Sequence, residues 1–478
     1  MQNDEIIKKI KESFHNTDDI KFREFSLQGT ELALSYLDGF SSKELIERSI
    51  VEALTDVEGA EEINREFLQK NLNYFEEIVK AEDYEDAINI IADGDAALFN
   101  NKNDDIYILS FKSYPTRSIS EPETSMVVKG PREGFIEDMK ANTILLRRRI
   151  RSKNLVFRYL KAGRYTKTNI ALCYIDGIAN LDLVSKLADK INSIDIDGII
   201  DSSYIAKFLE VNHYSIFKQE GTSEKPDIVT SKLLEGKVAV IVDGSPIVLT
   251  YPYALVEDLQ DSHDYYTRSA RAVMLRILRL LAVITAVFLP CMYVVMQEFH
   301  YEIFPMKLLQ SVAGATENLP LSPSLEMLFV ILLFEILNEA SIRMPKYVGM
   351  ALGVVGAIVL GDTGVKSGLI SSPAVLIASL SSIGMYCLPD LVGSISILRI
   401  VFVLLCTVSG LFGLIATTLI TIGYIARIEI YDTPYLAPYA PIIPSDQKDG
   451  VNKVDLLDMR LRPKSYNNKN EVRLKNGK

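Results

Sequence analysis

Hydrophobic and polar positions divide the chain in two. Apolar residues run together at roughly 273–295, 324–342, 347–361, 369–388 and 394–426, whereas charged side chains crowd residues 1–271. The first run has 23 residues, and as a helix it rises about 35 Å, enough to cross a hydrocarbon core of about 30 Å. The pattern predicts an α-helical, multi-pass transmembrane domain over 266–430 with about 4–6 membrane segments. Two cytoplasmic subdomains, together α/β in class, precede it, and a tail, 431–478, follows.

Within the polar part, residues 1–125 read as a mostly helical subdomain with one hairpin. FSSKELIERSIVEAL sets Glu44 three residues after Ser41, the spacing of a capping box, ahead of apolar positions at helical spacing. AALFNNKNDDIYILSF has two short apolar runs around an Asn/Asp-rich turn and predicts the hairpin. The Ser/Thr/Pro-rich stretch KSYPTRSISEPETS marks a boundary, and residues 126–265 beyond it read as α/β. There GPREGFIEDMKANTILLRRRI predicts a helix with Pro131 in its first turn, Glu133 and Glu137 after it and the basic run at the other end, as the helix dipole favours. NIALCYI reads as a strand, LDLVSKLADKI as a helix, and KVAVIVDGSPIVLTY as a hairpin turning at Asp243-Gly244.

Charge sets the expected topology. Arg268, Arg271, Arg276 and Arg279 crowd the start of the first apolar run and Glu298, His300 and Glu302 follow it, which places the N-terminal part inside. The tail is basic too, with Arg427, Lys448, Lys453, Arg460, Arg462 and Lys464, so both ends lie inside and the number of crossings is even. Five runs do not satisfy this. Either the last, of 33 residues, folds back near Gly410 and Gly413, or 347–361 is re-entrant. The opening MQNDEIIKKIKESF lacks the apolar core of a signal peptide, so the first membrane segment is expected to act as the insertion signal.

Candidate chemistry gathers in FEILNEASIRMPK. Glu335, Asn338, Glu339 and Arg343 recur three and four apart and share one side of a helix. At bilayer depth ionisable groups cost several kcal/mol unless they pair or face water. Two readings follow: an ion pair between Glu339 and Arg343, or a cation path bordered by Glu335, Asn338 and Glu339, since rings of carboxylates favour cations. Asp362 and Lys366 repeat the pairing, either functionally or on a solvated interface loop. Gly349, Gly353 and Gly356 have the spacing of close helix packing in lipid. Arg147, Arg148, Arg149 and Arg151 open a basic stretch that suits anionic headgroups, an acidic partner surface or plain solvent.

Other classes are disfavoured. A net charge of -11 argues against nucleic acid, where counterion release needs a surplus of Lys and Arg. The four cysteines, at 173, 291, 387 and 406, form no CxxC pair. GxxxxGK[ST], GxSxG and HExxH are all missing, so no catalytic residue, cofactor or metal site is expected.

Five blocks in order, GPREGFIEDMKANTILLRRRI, KPDIVTSKLLEGKVAVIVDGSPIVL, DYYTRSARAVMLRILRLLA, FEILNEASIRMPK and TPYLAPYAPIIP, carry a resemblance at family level. The chain resembles the A subunits of GerA-type spore germination receptors over residues 125–465. The resemblance implies a non-enzymatic protein of the spore inner membrane that works with a permease-like B subunit and a C-subunit lipoprotein. It further implies a homo-oligomer that forms or gates a path for monovalent cations. Where the family commonly has Glu-Ile-Leu-Arg-Glu-Ala-Gly, this chain carries Asn338 and Ser341, which makes the segment more acidic. GAIVLGDTGVKSGLIS also suits a paralogue encoded with the SpoVA channel proteins, so the subclass stays open. A non-conducting scaffold is the rival reading; a secondary transporter would show repeated membrane halves, which the runs do not.

Overall fold

A computed structural model of the chain describes residues 3–27, 30–40, 46–55, 63–72, 74–75, 78–100, 102, 105–110, 130–317, 319–343 and 358–474. The mostly helical subdomain expected over residues 1–125 is not what forms: the described residues of 3–110 are organised by a five-stranded antiparallel sheet in the order β1-β2-β4-β5-β3. The strands are β1 (Ile20–Leu27), β2 (Thr30–Leu37), β3 (Ile78–Lys80), β4 (Ala96–Asn100) and β5 (Asp105–Leu109). β1 and β2 pair over their whole length, with Ile20 opposite Leu37. In IKFREFSL the alternation slips phase at Arg23-Glu24, which hid the period of two in the sequence. The AALFN and DIYIL runs pair as β4 and β5. One face of this sheet packs Ala97, Phe99 and Ile108 on α1 (Asn3–Ser13) and α3 (Tyr84–Ala92). The other packs Leu98, Tyr107 and Leu109 on α2 (Arg65–Asn71) and a π-helical turn, Glu47–Glu52.

A second sheet repeats the same path. After α4 (Met139–Arg149) come the β6 (Leu155–Ala162) and β7 (Thr168–Ile175) hairpin, α5 (Leu181–Asn192) and α6 (Ser202–Leu209). Then follow β8 (Gly221–Ser223), α7 (Pro226–Leu234), β9 (Val238–Val242) and β10 (Val248–Tyr251), in the order β6-β7-β9-β10-β8. Each sheet is thus a long hairpin, helices, a short edge strand, a helix and a second hairpin, with every pairing antiparallel. Gly244, φ 87°, turns the β9–β10 hairpin as expected. Pro131 does not open a helix: α4 begins eight residues later, where the Asp138 carboxylate accepts from Lys140 N. Residues 130–138 form a strap instead, held by Phe135 N donating to Glu224 O and by the Asn142 amide bonding both backbone groups of Ile136.

The apolar part is helical: α8 (Ser269–Glu298), α9 (Met306–Thr316), α10 (Pro323–Arg343), α11 (Ser372–Tyr386) and α12 (Val392–Ala426). Among the described residues, α8 and the stretch Pro389–Ala426 are long and apolar enough to cross a membrane. Gly349, Gly353 and Gly356 lie outside the described residues, as do Ser41 and Glu44.

α12 is not one rod. Gly410 takes φ 57°, ψ −136°, a combination that glycine alone tolerates well, and a Cβ on Gly413 would lie 2.5 Å from Leu405 O. The chain doubles back there. Leu398 and Ile425 consequently pack on one cluster around Phe217, Tyr253 and Tyr435, although about 40 Å would separate them along a straight helix. A fold near Gly410 is one of the two expected ways to an even count; residues 344–357, which carry most of the stretch expected to be re-entrant in the other, lie outside the described residues. Beyond α12, the tail closes on the second sheet domain through Arg462 Nε to Leu234 O, 2.7 Å, and Asn468 Nδ2 to Glu235 O, 2.6 Å.

Candidate functional site

α10 is apolar over LFVILL and then carries FEILNEASIR, so its last turns set charge beside apolar neighbours. Glu335 points into the bundle and meets Arg399 of α12, Nη2 to Oε1, 2.6 Å. Arg399 is fully buried; its Nη1 donates to Ser381 Oγ at 3.0 Å and Ser382 Oγ at 3.2 Å on α11, and Ser396 Oγ donates to Glu335. Ser381 in turn donates to Ala286 O of α8, 2.6 Å. One ion pair thereby joins four helices. Arg399 sits in SILRIVF, an apolar run that gave no sign of a partner elsewhere in the chain, and sequence reasoning missed it.

The four polar positions of α10 do not form a single wall. Asn338 is half-buried, while Glu339 is 60% exposed and pairs with Arg343, Nε to Oε1, 2.6 Å, on the outside of this chain. Asp362 and Lys366 pair at 2.7 Å and are exposed as well. At the opposite end of the bundle, where Phe299 packs on the Gly410 turn, Glu298 accepts from Ser324 N, 3.0 Å, and Ser324 Oγ, 2.7 Å. Glu326, also missed, is fully buried there and accepts from Ser371 N at the start of α11. α10 thus starts far from the sheet domains, and α11 ends beside them, where Asp390 meets Lys218 at 3.3 Å.

The junction between sheet domain and bundle is charged and buried. Arg276 and Arg279, near the start of α8, do not stand free as flanking charges. Both clasp Asp264, at 3.1 Å and 2.8 Å, and Arg276 also reaches Asp449 of the tail at 3.0 Å. Burial opposes ionisation of Asp264, but the two guanidiniums outweigh it and hold the carboxyl below its usual range. Beside them Glu257 is buried with Lys237 and Lys232; burial pushes its carboxyl up, the two ammoniums pull it down further, and it comes to rest at about 2. A polar cavity of about 200 Å³ adjoins this cluster, lined by Thr222, Ser223, Lys232, Glu257 and Tyr265.

The first arginines of the basic stretch, Arg147, Arg148, Arg149 and Arg151, have internal partners. Arg147 is buried, forks onto both oxygens of Asp19 at 2.8–3.1 Å and lies over Phe157, and so joins the first sheet domain to the second. Arg148 and Arg149 hold Glu133 at 3.3 and 2.7 Å, and Arg151 reaches Asp93 at 2.9 Å. Arg147 is therefore out of reach of any headgroup.

Two antiparallel sheet domains are clasped to an apolar helical bundle with a buried Glu–Arg pair, in which, among the described residues, two helices are long and apolar enough to cross a membrane. The chain belongs to the Bacillus/Clostridium GerA spore germination protein family, whose sequence profile matches residues 8–465. It is 32% identical to "Spore germination protein KA" of Bacillus subtilis over 475 residues, 98% of this chain and 87% of that protein. "Spore germination protein GerLA" of Bacillus cereus is 31% identical, covering 98% and 96%, and "Uncharacterized membrane protein YfkQ" of Bacillus subtilis is 34% identical, covering 95% and 89%. Among solved structures, the N-terminal domain of the A subunit of the Bacillus megaterium spore germinant receptor GerK3 matches with TM-score 0.41 and 24% identity, over 51% of this chain and 92% of that one.

Proposed function

We propose that the chain is the A subunit of a nutrient-triggered spore germination receptor, a multi-pass protein of the spore inner membrane with its sheet domains in the cytoplasm. Several copies assemble with a permease-like B subunit and a C-subunit lipoprotein, and together they form or gate a path for monovalent cations. The observation that carries this reading is Glu339. A carboxylate 60% exposed in the last turns of α10, just past its apolar LFVILL run, is costly where acyl chains reach it even when paired, and is accommodated where a second copy or water covers it. The fold at Gly410 supports the topology, because five apolar runs then make an even number of passes and return both chain ends to one side. The relatives named as spore germination proteins, including A1 of Bacillus subtilis, support the process. In this reading the protein is not an enzyme and needs no cofactor.

Potassium flux from liposomes that contain the purified chain tests the proposal. The expected result is flux well above that of empty vesicles and a loss of cation preference in Glu339→Gln. Glu335→Gln reports on the Arg399 pair as well, so its effect combines path and packing. No flux with the chain alone would point to the scaffold reading.

A further inference from the structure

α6 ends at Leu209, and the chain then crosses beneath the second sheet domain in the loop EVNHYSIF, 210–217. This loop touches the start and the end of the α12 hairpin together. Ser394 Oγ donates to Ile216 O at 2.5 Å, Asn212 Nδ2 donates to Tyr424 Oη at 3.4 Å, and the Phe217 and Tyr424 rings lie 6.1 Å apart. The loop therefore sits level with the points where both limbs of the hairpin meet the sheet domain. At that level the end of α6 and the loop turn apolar and aromatic side chains outward: Tyr214 is 96% exposed, Val211 50%, Phe208 39% and Ile216 38%.

Most of its backbone N–H groups are bonded from within. Gln219, itself buried, accepts from Val211 N at 2.9 Å and Asn212 N at 3.1 Å and donates to Asn212 O at 2.6 Å. Tyr214 N is bonded to Asn212 Oδ1, Ser215 N to Asn212 O, and Phe217 N to Ser215 Oγ. An outward-facing loop in water has no need of such closure, whereas one at a lipid boundary does, because polar backbone groups lose their hydration there. Tyrosine suits this position, with an apolar ring and a wet hydroxyl.

We infer that loop 210–217 and the end of α6 form a lipid-docking foot, with Phe208, Val211, Tyr214 and Ile216 set into the headgroup region beside the α12 hairpin. The inference rests on the membrane reading above. It fixes the distance of the second sheet domain from the bilayer and makes that domain sensitive to the membrane surface.

The chain has no tryptophan, so a single one reports without background. Tyr214→Trp, Val211→Trp, Leu281→Trp on the exposed face of α8 and Tyr74→Trp on the first sheet domain are each reconstituted as full chains in liposomes. Their fluorescence is then compared in lipid brominated near the headgroup and lipid brominated deep in the chains. The expected result is blue-shifted emission at 214 and 211, quenched more by the shallow than by the deep label, with 281 quenched and 74 not. Quenching at 281 without quenching at 214 and 211 would overturn the docking foot, leave the membrane reading standing and give the patch to a protein partner. Absence of quenching at 281 would overturn the membrane reading and the foot together.

Discussion

Replacing Arg399 by methionine keeps most of the volume and removes the charge that Glu335 faces. The Glu335 carboxylate is then left at the centre of four helices with one hydroxyl donor, Ser396, and no cation. Breaking a buried pair from one side costs about 3–5 kcal/mol, and because Glu335 is 22% exposed the low end applies, about 3 kcal/mol. On the usual scale for a domain of this size that lowers Tm by about 6–12 °C. The double replacement Glu335→Leu with Arg399→Met removes both charges and is expected to recover most of the loss, since apolar pairs often match buried ion pairs in stability. The assay is thermal unfolding of the purified chain in detergent for wild type, both single variants and the double. A coupling of at least about 2 kcal/mol is expected. Additive effects, or an Arg399→Met protein as stable as wild type, would refute the structural role of the pair.

Other perturbations follow from single features. Gly410→Ala forces a side chain into a glycine backbone conformation and against Phe299, 2.9 Å from the new Cβ; a loss of about 1–3 kcal/mol in the same melt is expected. Cysteines at 398 and 425, in a background lacking the native four, should be joined by a short bifunctional thiol reagent, an outcome that a straight α12 forbids. Asp19→Ala leaves Arg147 buried without its carboxylate and should cost about 3–5 kcal/mol, read as faster proteolytic separation of the two sheet domains. Glu257, held at about 2 in the folded chain against about 4.3 unfolded, stabilises fully above pH ~4.3, and that contribution disappears as the pH falls toward 2. Glu257→Gln should flatten this acid limb in a pH series of melts.

How much was legible depended on whether the signal was local. The 273–295 run, the Asp243-Gly244 turn and the AALFN/DIYIL hairpin depend on neighbours in sequence, and each lies where its residues suggested. β1 escaped because Arg23-Glu24 breaks its alternation, and the repeated path of the two sheets escaped because it lives in strand order, which no period along the chain records. The same limit applies at the site. Glu339 and Arg343 are four apart and their pairing was visible, whereas Arg399 lies 64 residues beyond Glu335 in an otherwise apolar helix. Arg147 looked like a surface charge because nothing near it in sequence announces Asp19, 128 residues earlier. Pro131 suited a helix start, but Asp138 supplied the better cap.

In the proposed assembly, the outward Glu339 borders an aqueous, cation-favouring cavity formed between copies. Cysteine at position 339, in the assembled full-length protein lacking native cysteines, should react with a positively charged, membrane-impermeant thiol reagent faster than with its negatively charged counterpart. Both rates should far exceed those at position 281 on α8. Rates at 339 as slow as at 281, or indifferent to reagent charge, would contradict it.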